Sequence, residues 1–207
     1  MDVVNNTPAL PVKKKYSIIY ADPPWDYPLS GGTKKGRGLA KKQYQTMKTP
    51  DICALPVQDI ATEDAVCFMW ATFPNIGTAL KVMESWGFRY KTAAFVWVKK
   101  NPKSGALAWG MGAYTRANAE VVLLGIRDGV KAKECVRSRK VHQIIEAPRG
   151  RHSQKPDEVR DRIVELMGDI PRIELFARSA AEGWDCWGNE APNQQETPEE
   201  TKEGATA

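Results

Sequence analysis

Short apolar runs recur along the chain, separated by stretches with helical spacing. Ser17 to Ala21, Ala65 to Ala71, Ala93 to Val98, Val121 to Gly125, Val141 to Ala147, Arg172 to Phe176 and Trp184 to Trp187 predict strands. Thr49-Pro50-Asp51 predicts the start of a short helix ending near Leu55-Pro56, with Thr49 as N-cap and proline at the first helical position. Ile76, Leu80 and Met83 form a helical stripe stopped by Gly87. Pro156, Asp157 and Glu158 open the clearest helix, with Val159, Ile163, Leu166 and Met167 as its apolar stripe. This alternation predicts right-handed crossovers and a mostly parallel central sheet flanked by helices, an α/β fold.

The first run ends abruptly in Asp22-Pro23-Pro24-Trp25. Two prolines cannot continue a strand ladder, because each lacks a backbone N–H and has a fixed φ. The chain therefore leaves the sheet at Asp22, at the carboxyl end of a strand, the edge where open α/β sheets bind ligands. A rigid turn holds the Asp22 carboxylate and nearby carbonyls as fixed acceptors, and Trp25 adds a flat stacking face. Acceptors beside a stacking wall suit the exocyclic amine of adenine or cytosine. Hydrogen bonds from both amine N–H groups to Asp22 and the Pro23 carbonyl favour a pyramidal nitrogen with its lone pair freed for attack. That is catalysis by positioning and electrostatics. The plain alternative is a Pro-Pro turn with Asp22 as a helix cap and Trp25 in the core.

The motif Asp22-Pro23-Pro24-Trp25 resembles that of the MT-A70 family of S-adenosylmethionine-dependent adenine N6-methyltransferases. The resemblance continues in order through Phe68-Met69-Trp70, Trp97-Val98-Lys99, His152 to Glu158, Ile173 to Arg178 and Trp187-Gly188-Asn189. It implies a Rossmann-like methyltransferase fold in permuted order, the catalytic strand preceding the cofactor strands. It implies Asp22, Pro23, Pro24 and Trp25 as the catalytic set and S-adenosylmethionine as cofactor. Asp22, Lys155, Glu174, Arg178, Asn189 and Glu190 are the implied cofactor residues, and Glu120 is implied near the target base. Many family members carry His-Asn shortly after the arginine; Ala180-Ala181 stand there in this chain. Trp25 and the family match favour adenine N6 over cytosine N4. Some family members are non-catalytic subunits in which the motif acid is replaced, whereas Asp22 and Lys155 are both present here.

The formal net charge is +5, yet Glu196, Glu199, Glu200 and Glu203 oppose only Lys202 in the tail, so the remainder is more basic. That balance suits a nucleic-acid partner. Between Asp26 and Met47 lies a glycine-rich basic stretch with Lys34, Lys35 and Arg37, expected to be a lid gripping the substrate. Gly31 and Gly36 have the spacing of a phosphate-binding loop, but Arg37-Gly38 stand where Lys-Ser/Thr is required. Lys131, Lys133, Arg137, Arg139, Lys140, Arg149 and Arg151 form a second basic stretch expected to contact phosphates.

We expect a basic N-terminal arm over 1–15, a methyltransferase domain over 16–190 and a disordered acidic tail over 191–207. Cys53, Cys67, Cys135 and Cys186 show no C-x-x-C spacing, and neither His142 nor His152 completes a zinc spacing, so no metal site is expected. Scattered thiols and no membrane-spanning run predict a cytoplasmic protein acting on nucleic acid, DNA before RNA. Pairing with a second copy or a different subunit, as homodimer or heterodimer, is left open.

Overall fold

The structure is a computed structural model that describes residues 10–12, 14–26, 46–110, 112, 114–150, 154–189 and 191, without the side chains of residues 132 and 133. The expected N-terminal arm and acidic tail fall largely outside the described residues. So do Lys34, Lys35 and Arg37 of the expected lid, the Lys133 side chain, Arg151 and Glu190.

One sheet contains β1 (Tyr16–Ala21), β2 (Ala61–Ala71), β3 (Arg89–Lys100), β4 (Ala119–Ile126), β5 (Ile144–Pro148), β6 (Arg172–Leu175) and β7 (Asp185–Trp187). Its strand order is β5-β3-β4-β2-β1-β6-β7. β1 pairs in parallel with β2 and with β6, placing Ala21 opposite both Met69 and Leu175. β3 with β5, and β6 with β7, are also parallel. Among the described strands only β4 is reversed, running antiparallel to both β2 and β3.

Alternation along β1 feeds two cores. Ile19 and Ala21 face one side with Cys67, Met69 and Trp86. Ile18 and Tyr20 face the other with Phe68, Trp70 and Trp97. A strand covered on both faces reads as a continuous apolar run, as Ser17 to Ala21 does. Helices α1 (Thr49–Cys53) and α2 (Ile76–Ser85) cover the first face, and α4 (Glu158–Met167) covers the second. Val159, Ile163 and Met167 of α4 are buried, each contributing about 1.5–3 kcal/mol by removal from water. No helix among the described residues is long and apolar enough to cross a membrane.

Four local expectations change, the first being that the strand expected over Val141 to Ala147 runs only over Ile144–Pro148. Lys48, not Thr49, holds the N-cap position of α1, and no side chain caps it. Thr49 is already helical and Pro50 follows within the first turn, where its missing N–H would have had no intrahelical partner in any case. β3 begins at Arg89, four residues before the apolar run, because the exposed segment from Arg89 to Thr92 is held by pairing with β4. A one-turn helix, α3 (Ala132–Cys135), follows β4 where only a basic stretch was expected.

Candidate active site

β1 ends where the sequence predicts, and Asp22 is the first residue beyond it. Its N–H points to the Leu175 carbonyl at 3.4 Å, tying the corner to β6. The Trp25 N–H donates to the Pro23 carbonyl at 2.8 Å, and the Met47 N–H to the Pro24 carbonyl at 3.0 Å. Both proline carbonyls are therefore already hydrogen-bonded, and each keeps a second lone pair for a ligand donor. Trp25 is 5% exposed, and its indole N–H reaches the Trp70 carbonyl at 3.2 Å. Its ring both packs in the core and lines the recess at Asp22.

Lys155 stands just before α4 and points back to this corner. Its ammonium lies 2.7 and 2.6 Å from the two Asp22 oxygens and 5.2 Å above the Trp70 ring. It also faces Glu120 at 3.5 Å. Glu120 arrives because β4 is reversed: its amino end meets the carboxyl ends of β2 and β3, with Trp97 opposite Glu120. The Lys99 ammonium, at the end of β3, bonds Glu120 at 2.5 Å. Four charges thus alternate in a row, Asp22, Lys155, Glu120 and Lys99. Burial alone would push the Lys155 ammonium down; the Asp22 carboxylate, and then Glu120, outweigh it and hold the group above its ordinary value. Lys155 is therefore a cation at neutral pH. Beneath it, the Trp70 indole N–H donates to the Tyr20 hydroxyl at 2.6 Å. Burial, and then the Glu174 charge, keep that phenol protonated.

The recess is lined by the Asp22–Trp25 turn, Trp70, Thr72, Glu120, Lys155 and Arg178. Its void is about 30 Å³.

Arg178 and Asn189 lie at the same edge, beyond β6 and β7. Phe176 takes φ +62°, a left-handed conformation costly for a residue with a Cβ, and its ring stacks edge-on against Trp187 at 5.3 Å. The Ala177 N–H donates to the Trp187 carbonyl at 3.0 Å. A Cβ on Gly188 would come 2.6 Å from the Ala177 carbonyl oxygen, so glycine lets the two strand ends close together. Ammonium, guanidinium and amide donors on one edge fit a cofactor bearing a carboxylate and a ribose. Glu174, also implied at the cofactor, is paired within the protein. Arg160 grips both of its oxygens, at 2.7 and 3.1 Å, on the face under α4. Burial pushes the Glu174 carboxyl up, against the pull of Arg160.

The basic stretch is divided by the reversal of β4. That strand delivers the chain to the amino edge of the sheet, about 20 Å from Glu120 at strand rise. Lys131 follows there, and the N–H of Arg137 donates to the Leu166 carbonyl near the end of α4. Lys131, Arg137, Arg139 and Lys140 therefore do not line the Asp22 recess, and any phosphate contact they make is a separate one. Arg149 returns to the catalytic edge, its N–H bonding the Lys100 carbonyl at 3.1 Å. Two further residues carry the site, Lys99 and the positioning side chain Trp70, which the sequence shows only as parts of the resemblance. A signal for Lys99 was available: an acid opening a buried strand needs a cation partner.

A family model described as MT-A70 matches residues 16–190. The chain is 36% identical over 202 residues to the type II methyltransferase M.MunI of Mycoplasma sp, covering 90% of this chain and 82% of that protein. It is 26% identical over 178 residues to an N(6)-adenosine-methyltransferase MT-A70-like protein of Arabidopsis thaliana, and 24% over 183 to the human N(6)-adenosine-methyltransferase catalytic subunit METTL3. It spans only 24% and 28% of those two longer proteins. With the acid–proline–proline–tryptophan corner, its lysine partner and the match from the first strand to the last all in one chain, the protein belongs to the MT-A70 family.

Proposed function

We propose that this chain is an enzyme that transfers a methyl group from S-adenosylmethionine to the N6 amine of adenine in DNA. The observation that carries the reading is the Asp22 carboxylate, held by Lys155 at the exit of β1 beside two proline carbonyls. Bound at the edge bearing Lys155, Arg178 and Asn189, with Glu190 assigned by the family resemblance alone, S-adenosylmethionine supplies an electrophilic methyl group. Asp22 and the Pro23 carbonyl accept hydrogen bonds from the two amine N–H groups and turn the nitrogen lone pair outward; once the nitrogen has taken the methyl, its surplus proton leaves along the Asp22 hydrogen bond to water. Glu120 offers Lys155 a second carboxylate, so the ammonium stays paired while an Asp22 oxygen turns to the amine. Trp25 walls the base pocket. A base in a duplex must first leave the stack, at a cost of about a few kcal/mol. The near full-length likeness to a type II methyltransferase supports DNA as the polymer, and the N(6)-adenosine relatives support adenine as the base.

The test is mass spectrometry of digested DNA and RNA after incubation with methyl-labelled S-adenosylmethionine, with Asp22→Ala run in parallel. Label in N6-methyldeoxyadenosine, lost in the variant, is the expected result. Label in N6-methyladenosine moves the substrate to RNA. Bound cofactor with no label in either polymer overturns the catalytic reading.

A further inference from the structure

The hairpin that joins β3 to β4 leaves the sheet at the catalytic edge, between Lys99 and Glu120. Its root is ordered. The Asn101 side-chain oxygen accepts the N–H groups of Lys103 at 2.9 Å and Ser104 at 3.3 Å. The Ala108 N–H donates to the Lys99 carbonyl at 2.8 Å, and Lys100 pairs with Leu107. Further out, a Cβ on Gly110 would lie 1.8 Å from the Ala117 carbonyl oxygen, so the two limbs touch. On this braced arm Trp109 is 70% exposed and Tyr114 fully so. The Arg116 guanidinium lies 4.3 Å above the Trp109 ring.

Large rings exposed to water on a hairpin with a bonded root mark an interaction surface. The charge pattern selects the partner. From Lys99 to Ala119 the chain carries Lys99, Lys100, Lys103 and Arg116 and no Asp or Glu. Arg149, bonded to the Lys100 carbonyl, adds a cation at the root. Cations interleaved with exposed rings suit a strand of phosphates and bases. The position agrees: the arm springs from the two strands that deliver Lys99 and Glu120. A base drawn toward Asp22 leaves its neighbours without a stacking partner, and a side-chain ring can take that place.

We propose that Trp109 and Tyr114 form a stacking clasp for the nucleotides flanking the target adenine. Arg116 backs the Trp109 ring, and Lys103 and Arg149 neutralise the adjoining phosphates, while Lys100 is paired with Glu146 at 3.3 Å. The inference rests on the proposed function for its target and deepens it by naming where the rest of the polymer is held.

The experiment compares two fluorescein-labelled strands of about 20 nucleotides, one of mixed sequence and one abasic except for a single central adenine, so that charge and the base offered to Asp22 are equal and only one strand offers flanking bases. The intact protein is expected to prefer the mixed-sequence strand by about tenfold or more. The double variant Trp109→Ala, Tyr114→Ala should lose that preference while its affinity for the abasic strand, its affinity for S-adenosylmethionine and its Tm stay unchanged. A variant that keeps the preference overturns the clasp. So does one that loses affinity for both strands equally, and so does one whose nucleic-acid affinity is intact while sedimentation shows a dimer turned into a monomer. Methyl transfer measured beside these separates the two ideas. Transfer by the intact protein with an unaffected variant sinks the clasp alone; no transfer by the intact protein sinks the proposed function.

Discussion

The Lys155 ammonium sits within 2.7 Å of both carboxylate oxygens of Asp22, across a sequence separation of 133 residues. The pair joins the end of the first strand to the approach to α4, and it is mostly shielded from water.

Removing one partner of such a pair strands the other charge. Lys155→Met is expected to cost about 3–5 kcal/mol and to abolish methyl transfer. Adding Asp22→Asn should recover part of the stability and none of the activity. Thermal melts and a transfer assay on the two single variants and the double variant check both halves.

The same pair sets a response to alkali. The folded-state ammonium titrates above the ordinary value of 10.5. Its stabilisation is therefore complete below that value and is lost as pH rises through the higher folded value. The stability gap between the intact protein and Lys155→Met, followed by denaturant melts, should stay constant at neutral pH and narrow only above the ordinary lysine value. A gap that already narrows near neutrality would contradict the ion-pair geometry.

Trp25 tests the coupling of wall and corner. Trp25→Phe keeps a ring but removes the bond to the Trp70 carbonyl, for an expected loss of about 1 kcal/mol and a partial loss of turnover. Trp25→Ala should cost about 3–5 kcal/mol and eliminate turnover. Equal turnover in the two variants would remove the ring from the base pocket.

At Phe176 the usual ranking of alanine over glycine should invert. Both substitutions lose the contact with Trp187, but only glycine relieves the φ of +62°. Phe176→Gly is expected to be more stable than Phe176→Ala by about 1 kcal/mol in denaturant melts.

The parts legible in the sequence are those written locally. The exit of β1 at Asp22 follows from two prolines after a β-branched run, and the buried face of α4 follows from the spacing of Val159, Ile163 and Met167. The parts that were not legible depend on strand direction. Nothing near Glu120 announces that β4 runs backwards, so neither its bond to Lys99 nor the removal of Arg137 to the far edge could be read from spacing. Nothing in the helical spacing of α4 marks Arg160 either, and only the fold shows that it grips the Glu174 carboxylate. The exposed start of β3 carries no apolar pattern, because there the strand is fixed by pairing rather than by burial.

Reversed β4 has one more consequence. It is registered on both sides, with Val121 opposite Ala71 of β2 as well as Val96 of β3. A slip of one residue would turn Glu120 to the other face and would have to break both ladders at once. The connecting arm therefore does not have to keep its length for Glu120 to keep its place. What the arm reaches for can be exchanged like a tool head, while the handle that performs the chemistry stays as it is.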